Sequence, residues 1–173
     1  MNRKRLTISI TSGITVILLL IGGTGATSIL LNTTHAQTAT LGEPYFVEKG
    51  KITGQKEIGP NRTQFTISAN GTLNGNIEVT NTGEIVTISK GNNLAVDQGQ
   101  GVIATKDNSE TANYMLIGAE NFTQAGKTVF RGSVVYSTNS TGNLSFLNNM
   151  IGIFKGEGDI TTGNFVSTEW EWK

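Results

Sequence analysis

From residue 45 onward the chain alternates apolar and polar residues in short runs, separated by clusters of Gly, Asn, Asp and Ser. Successive side chains of a strand point to opposite faces, so this period-two pattern predicts half-buried β-strands; no stretch carries helical periodicity instead. Strands are expected at 45–53, 63–69, 73–80, 84–90, 99–106, 112–120, 127–137, 151–158 and 164–173, eight or nine in all. The breaks carry turn chemistry: "ANGT" before Leu73, "NTGE" around Gly83, "KGNN" from Lys90, "KDNSET" from Lys106, "TQAGK" before Thr128 and "TNSTGN" after Ser137.

Short turns between similar strands predict an all-β fold, a small antiparallel closed barrel of about eight strands, with a β-sandwich as the alternative. Proline cannot donate to a strand ladder, and the only two, Pro44 and Pro60, lie before the first strand and in a loop. Gly75, Gly118, Gly132, Gly152 and Gly156 fall inside expected strands, which favours the strongly bent sheet of a barrel. In the 127–137 strand, Phe130, Gly132, Val134 and Tyr136 form the better core face. In the last strand Val166, Thr168, Trp170 and Trp172 share one face and Phe165, Ser167, Glu169 and Glu171 the other. The indoles are expected inward and the glutamates in water, which makes this the closing strand, paired with the 45–53 strand.

The first 36 residues differ in kind. Arg3, Lys4 and Arg5 precede an apolar stretch strongest between Ile14 and Ile21, followed by small and polar residues, the order of a secretory signal. Small residues before Ala26 and Ala36 offer two cleavage sites, of which the second is preferred; an uncleaved membrane anchor is the alternative. Residues 1–36 are thus expected to be a signal peptide or anchor, 37–44 a linker and 45–173 the barrel, placed outside the cytoplasm in either case.

Of the 13 basic residues three lie in that leader, whereas all 13 acidic ones lie beyond it. The barrel is mildly acidic and carries no basic face, which argues against nucleic-acid binding. Cysteine is absent, so stability rests on packing and backbone pairing. The only histidine, His35, is removed by the preferred cleavage, and the mature chain then lacks the parts of a Ser-His-Asp or Cys-His nucleophile and of an ordinary zinc site. No cofactor is expected.

Other signals have plainer readings. "AGKT" ending at Thr128 resembles part of a phosphate-binding loop, but Asn121 occupies the position of its first glycine and a strand follows. "GEGD" ending at Asp159 and "KDNSE" from Lys106 do not match the spaced ligand loop of calcium sites, and no metal site is assigned. Glu157 shares a mixed face with Ile151, Ile153 and Lys155 and is expected at the surface. Asn-x-Ser/Thr sequons at Asn32, Asn61, Asn70, Asn121, Asn139 and Asn143 are compatible with glycosylation of an exported protein, most of them reading as turns.

The stretch "GQGVIATKDNSETANYMLIGAENFTQAGKTVFRGSVVYSTNSTGNLSFLNNMIGIFKGEGD" resembles the allene oxide cyclase-like barrel group, which includes dirigent proteins and bacterial domains of unknown function. The shared elements are the Thr141-Gly142 turn, a short segment from Leu144 to Leu147 and a Gly-rich strand from Gly152 to Gly158, within a resemblance covering about residues 69–173. It implies an eight-stranded antiparallel barrel, often with an apolar cavity, and transfers no active site. Three functions follow as expectations. The leading one is a non-catalytic module binding a small apolar ligand or acting in surface interactions, with Tyr114, Tyr136, Trp170 and Trp172 as candidate ligand-binding residues. The second is an isomerase-like or dirigent-like enzyme working by cavity shape, and the third a structural surface domain with a filled core. A homo-oligomer is compatible with each.

Overall fold

The computed structural model describes residues 41–123 and 126–173. The expected leader, the start of the linker, Asn32 and His35 lie outside the described residues. Eight strands follow in order: β1 Phe46–Gly59, β2 Arg62–Leu73, β3 Ile77–Gly91, β4 Leu94–Thr105, β5 Thr111–Phe122, β6 Lys127–Ser137, β7 Ile151–Asp159 and β8 Asn164–Glu171. Each pairs antiparallel with the next, and β8 returns to β1, with Phe46 opposite Glu169 and Lys51 opposite Asn164. The sheet is a closed barrel with no free edge, which removes the template for pairing with other chains.

Eight strands replace the nine candidates because two expected turns are strand interior. "ANGT" lies within β2, and "NTGE" lies within β3, where Gly83 pairs with Ile67 and Gly101. Their glycines serve ring packing: a Cβ on Gly71 would collide with the Phe46 ring, and one on Gly83 or Gly101 with the hydroxyl end of Tyr114. The turn between β2 and β3 falls instead at Asn74-Gly75-Asn76, with Asn74 and Gly75 both at positive φ. "KGNN" turns as expected, Asn92 and Asn93 (φ 51° and 60°) forming a two-residue hairpin that matches strand twist.

The two ends of the barrel differ. At one end the 13 residues between β6 and β7 fold inward around a single 3₁₀ turn, Ser145–Leu147. Leu144, Leu147 and Met150 are buried there against Tyr45, Phe46, Leu73, Val79, Ile103 and Ala112, closing that end with the apolar core. Glu110, in the turn between β4 and β5, holds this plug by accepting bonds from the Asn143 and Leu144 N–H groups (both 2.8 Å) and from the Ser140 hydroxyl. The donors keep its carboxyl ionised below the usual range. The opposite end, where β1 meets β2, β3 meets β4, β5 ends and β6 begins, and β7 meets β8, is the mouth of a cavity.

Glycines on the inner face admit rings across the barrel. Gly132 of β6 has the Ile117 carbonyl on one side and the Phe154 ring on the other, so an added Cβ would come within 2.6 Å of that ring. Gly132→Ala should therefore cost about 3 kcal/mol, the upper part of the overpacking range. A urea midpoint equal to that of the unaltered protein would refute this packing role.

Candidate binding cavity

Alternation along the strands sends Glu48 and Ile52 of β1, Phe65 and Ile67 of β2, Asn81, Ile85 and Thr87 of β3, and Asp97 of β4 into the interior. Tyr114, Leu116 and Glu120 of β5, Phe130, Val134 and Tyr136 of β6, Phe154 of β7 and Phe165, Ser167 and Glu169 of β8 complete the wall. A register shift between Ile52 and Gly54 turns Gln55 inward near the mouth. The cavity, open at its mouth, measures about 440 Å³. Its middle is aromatic: Phe130 lies 6.3 Å from Phe154 and 6.5 Å from Phe165, ring centre to ring centre.

The polar groups sit in two tiers. Deepest, the Glu169 Oε2 accepts hydrogen bonds from the hydroxyls of Tyr45 (2.6 Å) and Tyr136 (2.7 Å), and the Glu48 Oε2 accepts one from the Asn81 amide at 2.9 Å. Burial dominates their titration. It lifts both carboxyls to about 7, against the pull of their donors, with Glu169 adding to the rise at Glu48. The same burial raises Tyr45, Tyr114 and Tyr136 above the ordinary tyrosine range, so they remain hydroxyl donors. Nearer the mouth, Asp97 accepts from the Thr87 hydroxyl at 2.7 Å, and burial raises both Asp97 and Glu120, the latter with help from Asp97.

Among the described residues, two buried side-chain polar atoms, the Asn81 Oδ1 and the Tyr114 hydroxyl, have no hydrogen-bond partner. They belong to residues that lie side by side and both line the cavity. Among the described residues no group of three or more His, Cys, Asp and Glu is arranged to hold a metal ion.

Tyr114 and Tyr136 are therefore brought together in the cavity, their rings 6.0 Å apart. Trp170 and Trp172 are not. The expected facing of β8 is reversed: Phe165, Ser167 and Glu169 point in, while Val166 and Trp172 are exposed on the outside. Trp170 is half-buried against the outer surface, with the Lys155 ammonium 5.3 Å from its ring centre. Trp172 ends an exposed apolar row that runs across the sheet through Ile151, Val135 and Met115. Glu157 is at the surface, as its mixed face predicts. Of the sequons, Asn61, Asn139 and Asn143 are exposed outside strands, whereas Asn70 lies on the outer face of β2 and Asn121 is half-buried near the end of β5.

No protein-family model and no curated protein matches the chain. Solved structures do. A conserved protein of unknown function from Rhodopseudomonas palustris is similar over 75% of this chain and 95% of its own, with a TM-score of 0.61 and 14% identity. A protein of unknown function from Clostridium acetobutylicum is similar over 76% of this chain and 98% of its own, with a TM-score of 0.63 and 14% identity. At that identity the likeness establishes a shared fold and says nothing of ligand or reaction.

The sequence reading missed Glu48, Asn81, Asp97, Glu120 and Glu169. One signal was present. Glu48 interrupts an apolar alternation, Phe46, Gly50 and Ile52, and Glu169 continues a face begun by Phe165. Each charge falls on a face its neighbours mark as internal.

Proposed function

We propose that the protein is an exported barrel that binds one small, mainly apolar molecule in the cavity. The observation that carries this reading is the cavity itself: closed at one end by the Leu144–Leu147 plug, open at the other, and walled by phenylalanine and aliphatic side chains around a few convergent polar groups. Its volume suits a molecule of on the order of 15 non-hydrogen atoms, taking about 30 Å³ for each, as for liquid water. The basic, apolar, then small-residue order of the leader supports export. An empty interior weighs against a structural domain with a filled core.

A second reading is favoured by one observation. Glu48 and Glu169 face a cavity with acidities near neutrality, which suits proton transfer to and from a bound substrate. The resemblance to the allene oxide cyclase-like group is in keeping with such an isomerase-like role.

The binding reading is tested with N-phenyl-1-naphthylamine, a neutral dye that brightens in apolar surroundings. It should bind the full-length chain at micromolar concentrations, and Ile85→Trp, which fills the wall between Phe65 and Leu116, should weaken it at least tenfold. Binding equally strong in the filled variant would place the dye elsewhere and overturn the reading.

A further inference from the structure

The barrel separates its charges. Every Lys and Arg among the described residues is exposed. The cavity, by contrast, is lined by the carboxyl groups of Glu48, Asp97, Glu120 and Glu169 and by no basic side chain; Asp159, at the rim of its mouth, is paired with the Lys127 ammonium at 2.6 Å. Its deepest part is also short of donors. The hydrogen bonds made by Glu48 and Glu169 engage Oε2 of each, leaving both Oε1 atoms with no donor among the described residues. Beside them the buried Asn81 Oδ1, a pure acceptor, has no partner among the described residues. A ligand bringing N–H groups would satisfy these acceptors; one bringing only acceptors would leave them stranded.

We propose that the ligand is an organic cation, an ammonium group on an apolar and preferably aromatic body, with the nitrogen at Glu48, Glu169 and Asn81 and the body among Phe130, Phe154 and Phe165. This rests on the cavity reading above and names its ligand class. Two buried carboxyls that face each other's field resist ionisation, and a cation placed between them offsets both burdens at once. An anion entering the same space meets like charge with no compensating base.

Three compounds with one body test this: 4-phenylbutylamine, 4-phenylbutan-1-ol and 4-phenylbutyrate, titrated calorimetrically into the full-length chain at pH 8. The amine should bind at least tenfold more tightly than the alcohol, and the carboxylate more weakly than either. In Glu48→Gln and in Glu169→Gln the amine-to-alcohol ratio should fall at least fivefold; if one variant does not fold, the other carries the test. Near pH 6.5 amine binding should also release protons to the buffer, because the cation holds the two carboxyls ionised. An amine with no advantage over the alcohol, a carboxylate that binds as well as the amine, or a ratio unchanged in the Gln variants overturns the cation assignment. It leaves the cavity reading standing so long as the naphthylamine dye binds. Failure of the dye and of all three compounds overturns both.

Discussion

Removing residues 165–173 should leave no soluble folded product. β8 supplies two ladders, one to β1 from Phe46–Glu169 to Lys51–Asn164 and one to β7 from Gly152–Glu171 to Gly158–Phe165. Its loss opens the barrel at two edges and strands the backbone groups of β1 and β7. The interior fails with it. Phe165 leaves Phe130, and the Tyr45 and Tyr136 hydroxyls lose the carboxylate that holds them. The combined loss exceeds the roughly 5–15 kcal/mol by which domains of this size are stable. Circular dichroism and gel filtration of the truncated chain decide it, and a monomeric, β-rich product would contradict the closing role of β8.

The unliganded protein should melt about 20 °C lower at pH 8.5 than at pH 5. Glu48 and Glu169 titrate near 7 when folded and near 4.5 when unfolded. Between those values the folded chain holds protons that the unfolded chain has released, so stability falls as pH rises through the window. Each carboxyl contributes roughly 3 kcal/mol at full displacement, and 1 kcal/mol moves the melting temperature of such a domain by about 3–5 °C. Asp97 and Glu120, also raised, act in the same sense. Asp107 at the surface and Asp159 at the cavity rim, held at about 2 by their hydrogen bonds, act oppositely but only below about pH 4, where their support is lost. Glu169→Gln should flatten the profile and raise the melting temperature at pH 8.5. Melting temperatures that rise from pH 5 to pH 8.5 would show that the two deep carboxyls ionise in water-like surroundings.

The fold was legible where one face of a strand is apolar and the other is not. β6 was bounded at 127–137 with Phe130, Val134 and Tyr136 inward, and the meander order followed from the turns. It was less legible where glycine stood beside Asn or Thr. Gly71 and Gly83 carry turn-like neighbours, yet their role is set by Phe46 and Tyr114, rings that arrive from other strands. The facing of β8 misled for a related reason. Two indoles are the largest apolar groups in the strand, and burying them in place of Glu169 is the sound local choice. What reverses it is non-local: the hydroxyls of Tyr45 and Tyr136, 124 and 33 residues away, make a glutamate acceptable in the core. The acids of the cavity were hidden by the same rule, since each is tolerable only through a partner on another strand.

Both ends of the barrel's chain, Phe46 and Glu171, emerge beside the plug, on the side away from the hairpin turns that frame the mouth. An affinity tag or a solid support joined directly after Glu171 is held on the side away from the mouth. The entrance is left unobstructed, so immobilisation through the C-terminal end is expected to leave solute uptake intact.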